Sequence, residues 1–372
     1  MTPGPGRVDD APADSQSVET VVLPGSAAAI EEAAVLLARG AVVAVPTETV
    51  YGLAADATNP HAVARIYAAK NRPATNPLIV HVRRELASVS ALHEDGLLTG
   101  DAMTVAQRET ADGLMAACWP GPLTIVLPRG PRIPALVAGG LDSVGLRMPD
   151  HALFQALLAR TGLPLAAPSA NRANRISPTT AAHVHEELGS RIPMIIDGGA
   201  CRVGVESTIV SVDEAGDVLL LRKGGLPRET LARLCGRPVL TVAPVGNRPI
   251  APGMMRVHYA PATPVLLVPA DSPTAARDAL AAGPRQRVGL LLLRGVAAPP
   301  AAWDIESVAD LATVRSLDDD GDGSAAAREL FGALRELDHA DVEVIVVEMP
   351  ARLATGLWPA VADRLTRAAA SR

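Results

Sequence analysis

The stretch AVVAVPTETVYGL, residues 41–53, joins a short apolar strand to a polar loop. Ala41 to Val45 are small or β-branched apolar residues, a composition typical of a buried strand. The loop Pro46-Thr47-Glu48-Thr49 then places two hydroxyls and a carboxylate at the strand end. Open α/β sheets bind ligands at such ends, because side chains and loop amides converge there. From these residues alone, a ligand loop and a simple capped turn are equally good interpretations.

The flanking segments alternate between predicted helices and strands. Ser26 and Gly40 have the chemistry of an N-cap and of the residue after a helix end, which predicts a helix over 26–39. Asn59-Pro60 predicts the N-cap and first residue of a helix ending near Lys70. Apolar runs predict strands over 77–82, 123–127 and 143–148, a buried strand ending at 195–199, and a hairpin of 207–212 with 217–222.

Two predicted strands have a polar face. His81 shares a face with Ile79, and Arg147 shares one with Ser143 and Gly145, because side chains alternate along a strand. His81 and Arg147 could neutralise a small carboxylate, or simply face solvent.

The composition of the chain predicts two domains. Residues 1–17 form an expected disordered tail, without the apolar run of a signal peptide. A first domain is expected over 18–240, and a Pro-, Gly- and Met-rich linker over 241–264. Beyond it, apolar strands (265–268, 288–293, 342–347) alternate with helical stretches (274–282, 325–337, 358–370), a pattern that predicts a small parallel α/β domain.

Bulk composition excludes several classes of protein. The net charge is −6, and neither a basic stripe nor clustered aromatics occur, which argues against RNA binding as the main role. Three scattered cysteines give no disulfide framework and no metal-binding pair. No run reaches the roughly 18 apolar residues of a membrane span, so a soluble cytoplasmic protein is expected.

Two windows without Asp or Glu point to an anionic ligand. Residues 57–84 contain five Lys/Arg and two His, and residues 151–185 contain the loop Pro168-Ser169-Ala170-Asn171. The first window includes Lys70 and Arg72, and the only other lysine is Lys223. A point charge beside a planar guanidinium is a common combination for binding a triphosphate. A solvated helix end is the alternative for Lys70.

The sequence contains neither of two common nucleotide-binding motifs and has one match to a calcium-binding motif. The sequence has no GxxxxGK[ST] loop and no GxGxxG after a strand, so ATP would need another architecture. Asp318, Asp320, Asp322, Gly323 and Glu329 match the spacing of a calcium loop. Ala325 occupies a position that is usually aliphatic and larger, and a single EF-hand is out of place in an α/β domain. An acidic surface loop that caps the following helix is the preferred interpretation.

Taken together, these segments resemble the YrdC-like family of threonylcarbamoyl-AMP synthases. The matching stretches are PTETVYGL (46–53), AKNRP (69–73), NPLIVHV (76–82), WPGPLTIVL (119–127), VGLRMP (144–149), PLAAPSAN (164–171), SPT (177–179), IIDGG (195–199), GVESTIV (204–210) and LLR (220–222). APGMMRVHYAP (251–261) and LFGALRELD (330–338) resemble the linker and C-terminal domain of the long, two-domain form. Relative to that family, the stretch 89–117 is long, and a surface loop is expected there.

The resemblance implies a fold, a reaction and a set of site residues. The fold is a twisted mixed-sheet catalytic domain with a small Rossmann-like parallel domain. The reaction joins L-threonine, bicarbonate (or CO2) and ATP into threonylcarbamoyl-AMP and pyrophosphate, for a separate transferase that modifies tRNA. The residues implied for L-threonine are Thr49, His81, Arg147, Ala167 and Ser207. Those implied for ATP are Lys70, Arg72, Asn76, Ser143, Ser169, Asn171, Ser177 and Arg222, of which Lys70, Arg72, Ser169 and Asn171 would act in catalysis.

Mg2+ would come with ATP, without a dedicated protein metal site, and His258-Tyr259 would form a lid. Two alternatives remain at this point: a carbamoyltransferase that uses carbamoyl phosphate, and an RNA-binding, translation-associated module. The relatives that carry out carbamoyl transfer in hydrogenase maturation add CxxC zinc fingers, which this chain lacks. At most a weak contact with tRNA is expected.

Overall fold

A computed structural model describes residues 18–241, 258–269, 274–281, 286–293, 304–318, 321–349 and 354–370. The predicted tail 1–17, most of the predicted linker and Asp320 of the calcium-loop motif lie outside these ranges. The strands are β1 (Val21–Pro24), β2 (Val43–Val45), β3 (Gly52–Asp56), β4 (Ile79–His81), β5 (Leu123–Pro128), β6 (Ser143–Arg147), β7 (Leu165–Ala166), β8 (Met194–Asp197), β9 (Thr208–Val212), β10 (Val218–Arg222), β11 (Val239–Thr241), β12 (Val265–Pro269), β13 (Arg287–Leu292), β14 (Asp310–Ser316) and β15 (Val344–Met349). The helices are α1 (Ala27–Ala38), α2 (Pro60–Lys70), α3 (Val89–Glu94), α4 (Val105–Cys118), α5 (Ala152–Thr161), α6 (Ala181–Leu188), α7 (Arg228–Cys235), α8 (Ala275–Ala281), α9 (Ser324–His339) and α10 (Trp358–Ala369).

The first eleven strands form one mixed sheet in the order β1-β8-β2-β3-β7-β4-β6-β5-β9-β10-β11. β4 runs parallel to β6, while β5 runs antiparallel to β6 and parallel to β9. The predicted hairpin is confirmed, since β9 and β10 pair antiparallel. This topology sets the ends of β4 and β6 side by side, just beyond the loop that leaves β2.

Both predicted helix starts are confirmed. The Ser26 hydroxyl accepts a hydrogen bond from the Ala29 N–H, and the Asn59 side chain accepts from the N–H groups of His61 and Ala62. α2 ends at Lys70, and Asn71 follows in the left-handed conformation with φ 50°. This sharp end turns the chain back, so that Lys70 and Arg72 both point into the molecule.

The surface loop expected over 89–117 is wrong. The segment contains α3 and α4, and α4 begins with a capping box between Thr104 and Gln107. Leu92 and Leu114 are fully buried in the main core of the first sheet. The extra length is therefore a structural layer, because it covers apolar surface that a loop would leave in water.

The last four strands form a second, wholly parallel sheet in the order β12-β15-β13-β14. β14 was not predicted, because its exposed and half-buried residues lack the apolar run of a central strand. In the calcium-loop motif, the N-cap of α9 is Gly323 and makes no side-chain cap hydrogen bond, while the Asp322 carboxylate before it accepts from the Ser324 N–H.

A mixed sheet beside a parallel sheet confirms the predicted fold class. One hydrophobic cluster spans the two parts, since Val50, Ile176 and Val205 pack with residues of α9 and α10 such as Phe331 and Val361. The second sheet is thereby attached directly behind the polar loop of the first. No helix in the described ranges has the length and apolarity needed to cross a membrane.

Candidate active site

The loop after β2 is held in shape by its own hydroxyls. The Thr47 hydroxyl accepts from the N–H groups of Thr49 (3.0 Å) and Val50 (3.2 Å) and donates to the Val50 carbonyl (2.7 Å). The Thr49 hydroxyl lies 2.8 Å from that of Thr47 and therefore donates to it, because the Thr47 proton is already used. Thr49 in turn accepts from Arg147 Nη2 at 2.9 Å. The loop therefore presents one hydroxyl in a fixed orientation.

Arg147 lies at the end of β6 and is 4% exposed. Its Nη2 is 2.7 Å from Glu48 Oε1, an ion pair without hydrogen-bond alignment, and its Nε donates to the Gly121 carbonyl at 3.3 Å. The solvent-facing alternative for this strand face is wrong, because the guanidinium is buried and lines a cavity.

His81 is the register partner of Arg147 across β4 and β6 and is also buried. Burial, reinforced by Arg147, lowers the pKa of His81 well below its ordinary 6.5. The imidazole is therefore neutral at neutral pH, with one nitrogen that donates and one that accepts a hydrogen bond. The positive charge at this end of the cavity comes from Arg147.

A hydroxyl and a cation meet at the start of β9. The hydroxyls of Thr124 and Ser207 lie 2.7 Å apart. Arg222 Nη2 donates to Ser207 Oγ (3.1 Å) and to the Ser207 carbonyl (2.9 Å). Arg222 and Ser207 are buried. The hairpin of β9 and β10 thus brings together two residues that lie 15 positions apart in the sequence.

Lys70 and Arg72 form a cationic corner at the end of α2. Lys70 Nζ donates to the carbonyls of Ser169 and Asn171. Arg72 Nη2 donates to Asn76 Oδ1 at 2.6 Å and to the Pro77 carbonyl at 2.9 Å. Burial lowers the pKa of Lys70 and brings that of Arg72 to about 10, because the charged forms lose their hydration. A bound anion would offset this cost and favour the charged forms. The solvated-helix-end alternative for Lys70 is wrong, since it is 1% exposed.

The loop 168–171 lies between this corner and the first loop. The Ala170 N–H donates to the Tyr51 carbonyl at 2.8 Å, which ties the two loops together. Asn171 Nδ2 donates to the carbonyls of Arg172 and Arg175, while its Oδ1 has no hydrogen-bond partner in the described part of the chain. The Ser177 hydroxyl donates to Glu206 Oε1 at 2.6 Å.

Most of the predicted site residues line one cavity: Thr49, Arg72, His81, Arg147, Ala167, Ser169, Ser207, Arg222, His258 and Tyr259. Lys70, Asn76 and Ser177 form hydrogen bonds with residues of this lining, and Asn171 accepts one from Lys70. Ser143 is not in the cavity. It lies in an open groove with Val126 and Leu221, farther along the same face of the sheet.

His258 and Tyr259 occupy the mouth of the cavity. The Tyr259 ring packs between Phe331 of α9 (ring centroids 5.7 Å apart) and Arg364 of α10 (4.9 Å from the guanidinium carbon to the ring centroid). The space left open to water is about 40 Å³, enough for a few water molecules and far too small for ATP. In this conformation the cavity does not accommodate a nucleotide.

Sequence reasoning missed three charged residues of this region. Glu48 belongs to the first motif but was given no role, Glu206 lines the cavity, and Arg364 binds Glu206 Oε2 at 2.8 Å from the second domain. Glu48 and Glu206 lie inside motifs and could have been found. Arg364 carries no local signal, since its helix reads as an ordinary amphipathic segment.

The described residues contain no cluster of three His, Cys, Asp or Glu side chains that could hold a metal ion. Among the described residues that line the cavity, the carboxylate is that of Glu206, and its oxygens are occupied by Ser177 and Arg364. The unpartnered Asn171 Oδ1 is a neutral oxygen of the kind that Mg2+ accepts alongside phosphates.

Two family models together match almost the whole length of this two-sheet chain. The model described as Telomere recombination (Sua5, YciO and YrdC) matches residues 35–224, and the model of the threonylcarbamoyl-AMP synthase C-terminal domain matches residues 226–370. The chain belongs to the threonylcarbamoyl-AMP synthase family. A member from Bacillus subtilis is 40% identical over 92% of this chain and 93% of the relative. One from Pyrococcus abyssi is 39% identical over 92% of this chain and 94% of the relative.

Solved structures of the family agree with this assignment. The chain matches a crystal structure described as P. abyssi Sua5 complexed with L-threonine, with a TM-score of 0.78 at 36% identity. The match covers 94% of this chain and 97% of that one. The family and its two-part fold are therefore those that the resemblance implied.

Proposed function

We propose that this protein is an L-threonylcarbamoyladenylate synthase, which makes threonylcarbamoyl-AMP and pyrophosphate from L-threonine, bicarbonate or CO2, and ATP. The observation that carries the proposal is the cavity itself. It sets one arginine, paired with a carboxylate, opposite a group of buried cations suited to phosphates, within a chain that matches its family along both domains.

L-Threonine would bind at the end formed by the loop 46–49 and the ends of β4 and β6. Arg147 would pair with the substrate carboxylate, and Thr49 and Ser207 offer oriented hydroxyls. His81 contributes a neutral imidazole, and Ala167 a small apolar wall. A pocket for one methyl group is worth only about 1–3 kcal/mol, so some use of serine is expected.

The phosphates of ATP would bind at the other end. Lys70, Arg72 and Arg222 would supply the charge. Asn76, Ser169 and Asn171 accept hydrogen bonds from Lys70 and Arg72, and Ser177 donates one to Glu206. Ser143 lies in the apolar groove farther along the sheet, where the nucleoside would extend from the phosphates.

The chemistry needs positioning and charge neutralisation. The threonine amine bonds to the carbon of CO2 and loses a proton, which gives a carbamate. A carbamate oxygen then attacks the α-phosphorus of ATP, the bond between this phosphorus and the bridging oxygen to the β-phosphorus breaks, and pyrophosphate leaves. Two anions must meet, so fixed cations on both sides of the reacting atoms lower the barrier.

Mg2+ would arrive with the triphosphate and offset part of its charge. Asn171 Oδ1 is a neutral oxygen that could join it, because it is buried without a hydrogen-bond partner in the described residues and its backbone carbonyl accepts from Lys70. The lid residues His258 and Tyr259 would exclude water and protect the labile carbamate.

The product would be used by a threonylcarbamoyl transferase that acts on tRNA. We infer that this enzyme releases a free adenylate. It would make at most a weak contact with tRNA itself, since its net charge is −6. A cytoplasmic location follows from that role.

Pyrophosphate release tests the proposal directly. Purified protein would be assayed with ATP, Mg2+ and bicarbonate, with and without L-threonine, and Lys70→Ala would be compared with Lys223→Ala. Lys223 is the only other lysine and its side chain is exposed, so its variant is the matched control. We expect release that depends on both threonine and bicarbonate, is lost in Lys70→Ala and is retained in Lys223→Ala.

Release without threonine dependence would contradict the proposal and favour the carbamoyl phosphate alternative. That alternative is tested by replacing threonine and bicarbonate with carbamoyl phosphate. A salt-dependent gel shift with tRNA at micromolar protein would instead favour the RNA-binding module.

A further inference from the structure

The two ends of the cavity differ in how their cations are balanced. Lys70 and Arg72 are held by neutral oxygens, namely backbone carbonyls and the Asn76 amide. In the described part of the chain no carboxylate lies within 4.0 Å of either cation. Arg147, in contrast, has Glu48 Oε1 at 2.7 Å. Lys70 and Arg72 thus have no ion-pair partner in the described residues, although the charges of Glu187 and Glu206 act on Lys70 and Arg222, whereas Arg147 forms an ion pair with Glu48.

Glu48 lies behind Arg147 and does not line the cavity. Its residue is 1% exposed, and neither carboxylate oxygen has a hydrogen bond within the described residues. A ligand in the cavity therefore does not contact this carboxylate directly. Its action on a ligand is therefore through its charge and through the position of Arg147.

The other groups that feel the charge of Glu48 are uncharged. Burial lowers the pKa of His151, which keeps the imidazole neutral, and burial raises the pKa of the Cys201 thiol to about 12, which keeps it protonated. Nearby at the surface, Arg202 is paired with Asp150 at 2.7 Å. Arg147 is thus the partner that offsets the buried charge of Glu48.

A neutral ion pair favours a neutral, zwitterionic ligand. A plain anion gains attraction from Arg147 but is repelled by Glu48, whereas an amino acid also brings an ammonium that Glu48 attracts. We propose that Glu48 is a specificity-determining residue, which makes this end of the cavity select an amino acid over an anion of the same shape. The inference rests on the proposed threonine site and adds to it the source of its selectivity.

Removal of the Glu48 charge changes the relative affinity for two ligands in the same direction however Arg147 rearranges. Removing a negative charge from behind Arg147 favours whichever of two ligands is more negative, even if both bind more weakly. The ratio of two dissociation constants is therefore the informative quantity. A merely structural role of Glu48 would weaken both ligands and leave this ratio unchanged.

The test compares L-threonine with its hydroxy-acid analogue, in which a hydroxyl replaces the α-ammonium. Dissociation constants of both would be measured by competition calorimetry on the full-length wild type and on Glu48→Gln. We expect Glu48→Gln to shift the ratio toward the hydroxy acid by about 10- to 30-fold, the effect of one charge at roughly 8–12 Å in a medium of effective dielectric constant near 20.

Two further variants separate charge from structure. Glu48→Asp keeps the charge and should retain most of the preference for threonine. Glu187→Gln removes an equally buried carboxylate that pairs with Arg175 and Arg335, away from Arg147, and should leave the ratio unchanged. An unchanged ratio in Glu48→Gln, or an equal change in Glu187→Gln, would overturn the proposal.

Wild-type binding alone gives a test if Glu48→Gln does not fold. The hydroxy acid should bind the wild type at least tenfold more weakly than threonine, and equal binding would contradict the role of Glu48. Failure of the proposed function is a separate result, because pyrophosphate release would then show no dependence on threonine.

Discussion

Arg147 shows how a single buried side chain sets the chemistry of this cavity. Its guanidinium is held on three sides, by Glu48, the Thr49 hydroxyl and the Gly121 carbonyl. The two hydrogen bonds fix the plane of the guanidinium before a ligand arrives, and the ion pair with Glu48 balances its charge. A substrate carboxylate would therefore meet a donor that needs no reorganisation.

Replacing Arg147 with Met should raise the KM for L-threonine by at least about 30-fold, because a buried, charge-assisted pair is worth about 2–5 kcal/mol. The KM for ATP should change by much less, since Lys70, Arg72 and Arg222 remain. Steady-state pyrophosphate release measures both values. Arg160→Met, at an exposed arginine paired with Glu31, is the control, and an equal loss for both substrates would contradict the role of Arg147.

The sequence predicted which side chains share the site where they follow the alternation of side chains along a strand. His81 and Arg147 were placed together because each lies on the polar face of its predicted strand, and the parallel register of β4 and β6 makes them neighbours. The neutral state of His81 was not readable, since it depends on burial and on the charge of Arg147.

At the scale of elements, α4 is a helix in a segment where a surface loop was expected. A surface loop was expected there because the stretch 89–117 is long relative to the family, but one face of α4 buries Leu114 and Met115. The capping box at Thr104 was the local signal that a helix begins there.

Leu114→Ala should destabilise the protein by about 2–5 kcal/mol, because a fully buried leucine would be replaced by a cavity. Val105→Ala, at a residue of the same helix that is 67% exposed, should change the stability by less than about 0.5 kcal/mol. Urea unfolding measures both. Similar values for the two variants would mean that this segment is a loop after all.

The buried hydroxyl of Tyr259 leads to a second prediction about stability. The Tyr259 hydroxyl is buried without a hydrogen-bond partner in the described residues, a state that costs about 1–3 kcal/mol in a folded protein. Tyr259→Phe removes this hydroxyl and keeps the ring between Phe331 and Arg364. We expect the ligand-free variant to be as stable as the wild type or more stable, by thermal unfolding.

Tyr259→Ala is the matched comparison, since it also removes the ring and should destabilise the protein by about 3–5 kcal/mol. If Tyr259→Phe were as destabilised as Tyr259→Ala, the hydroxyl would have a partner in the free protein, and the lid would be held differently.

At the scale of the whole molecule, the second domain is attached through buried charges. Arg364 is fully buried, binds Glu206 and Asp363, and donates to the Lys223 carbonyl. Asp338 accepts from the N–H groups of Ala262 and Thr263 and pairs with Arg175. The C-terminal domain thus contacts both the first sheet and the segment that follows His258 and Tyr259.

Arg364→Met should destabilise the protein by about 3–5 kcal/mol, because it leaves Glu206 buried without its ion-pair partner. Arg367→Met, which removes a partly exposed arginine that pairs with Asp363 on the same helix, is the control and should cost less than about 1 kcal/mol. Chemical unfolding measures both, and an equal, small effect would show that the Arg364 pair contributes nothing.

The same contact predicts a pH dependence. Burial alone raises the pKa of Glu206, but Arg364 and Arg222 outweigh it, and the pKa lies below its ordinary value. Because the folded pKa is depressed, this stabilisation is complete above the unfolded pKa of about 4.3 and is lost as the pH falls through the lower folded value. Unfolding measured from pH 7 to pH 3 should show a decline that is shallower in Glu206→Gln. Equal slopes would contradict this origin.

The sequence by itself determined the family, the alternation of strands and helices, the caps at Ser26 and Asn59, and most residues of the cavity. These features are local: a cap needs four residues, and a polar strand face needs five. What only the tertiary structure decided is which charges are balanced. The pairs of Arg147 with Glu48 and of Glu206 with Arg364 join residues 99 and 158 positions apart. Whether a buried ion has a partner depends on distances that arise only when both sheets pack, and no local pattern encodes them.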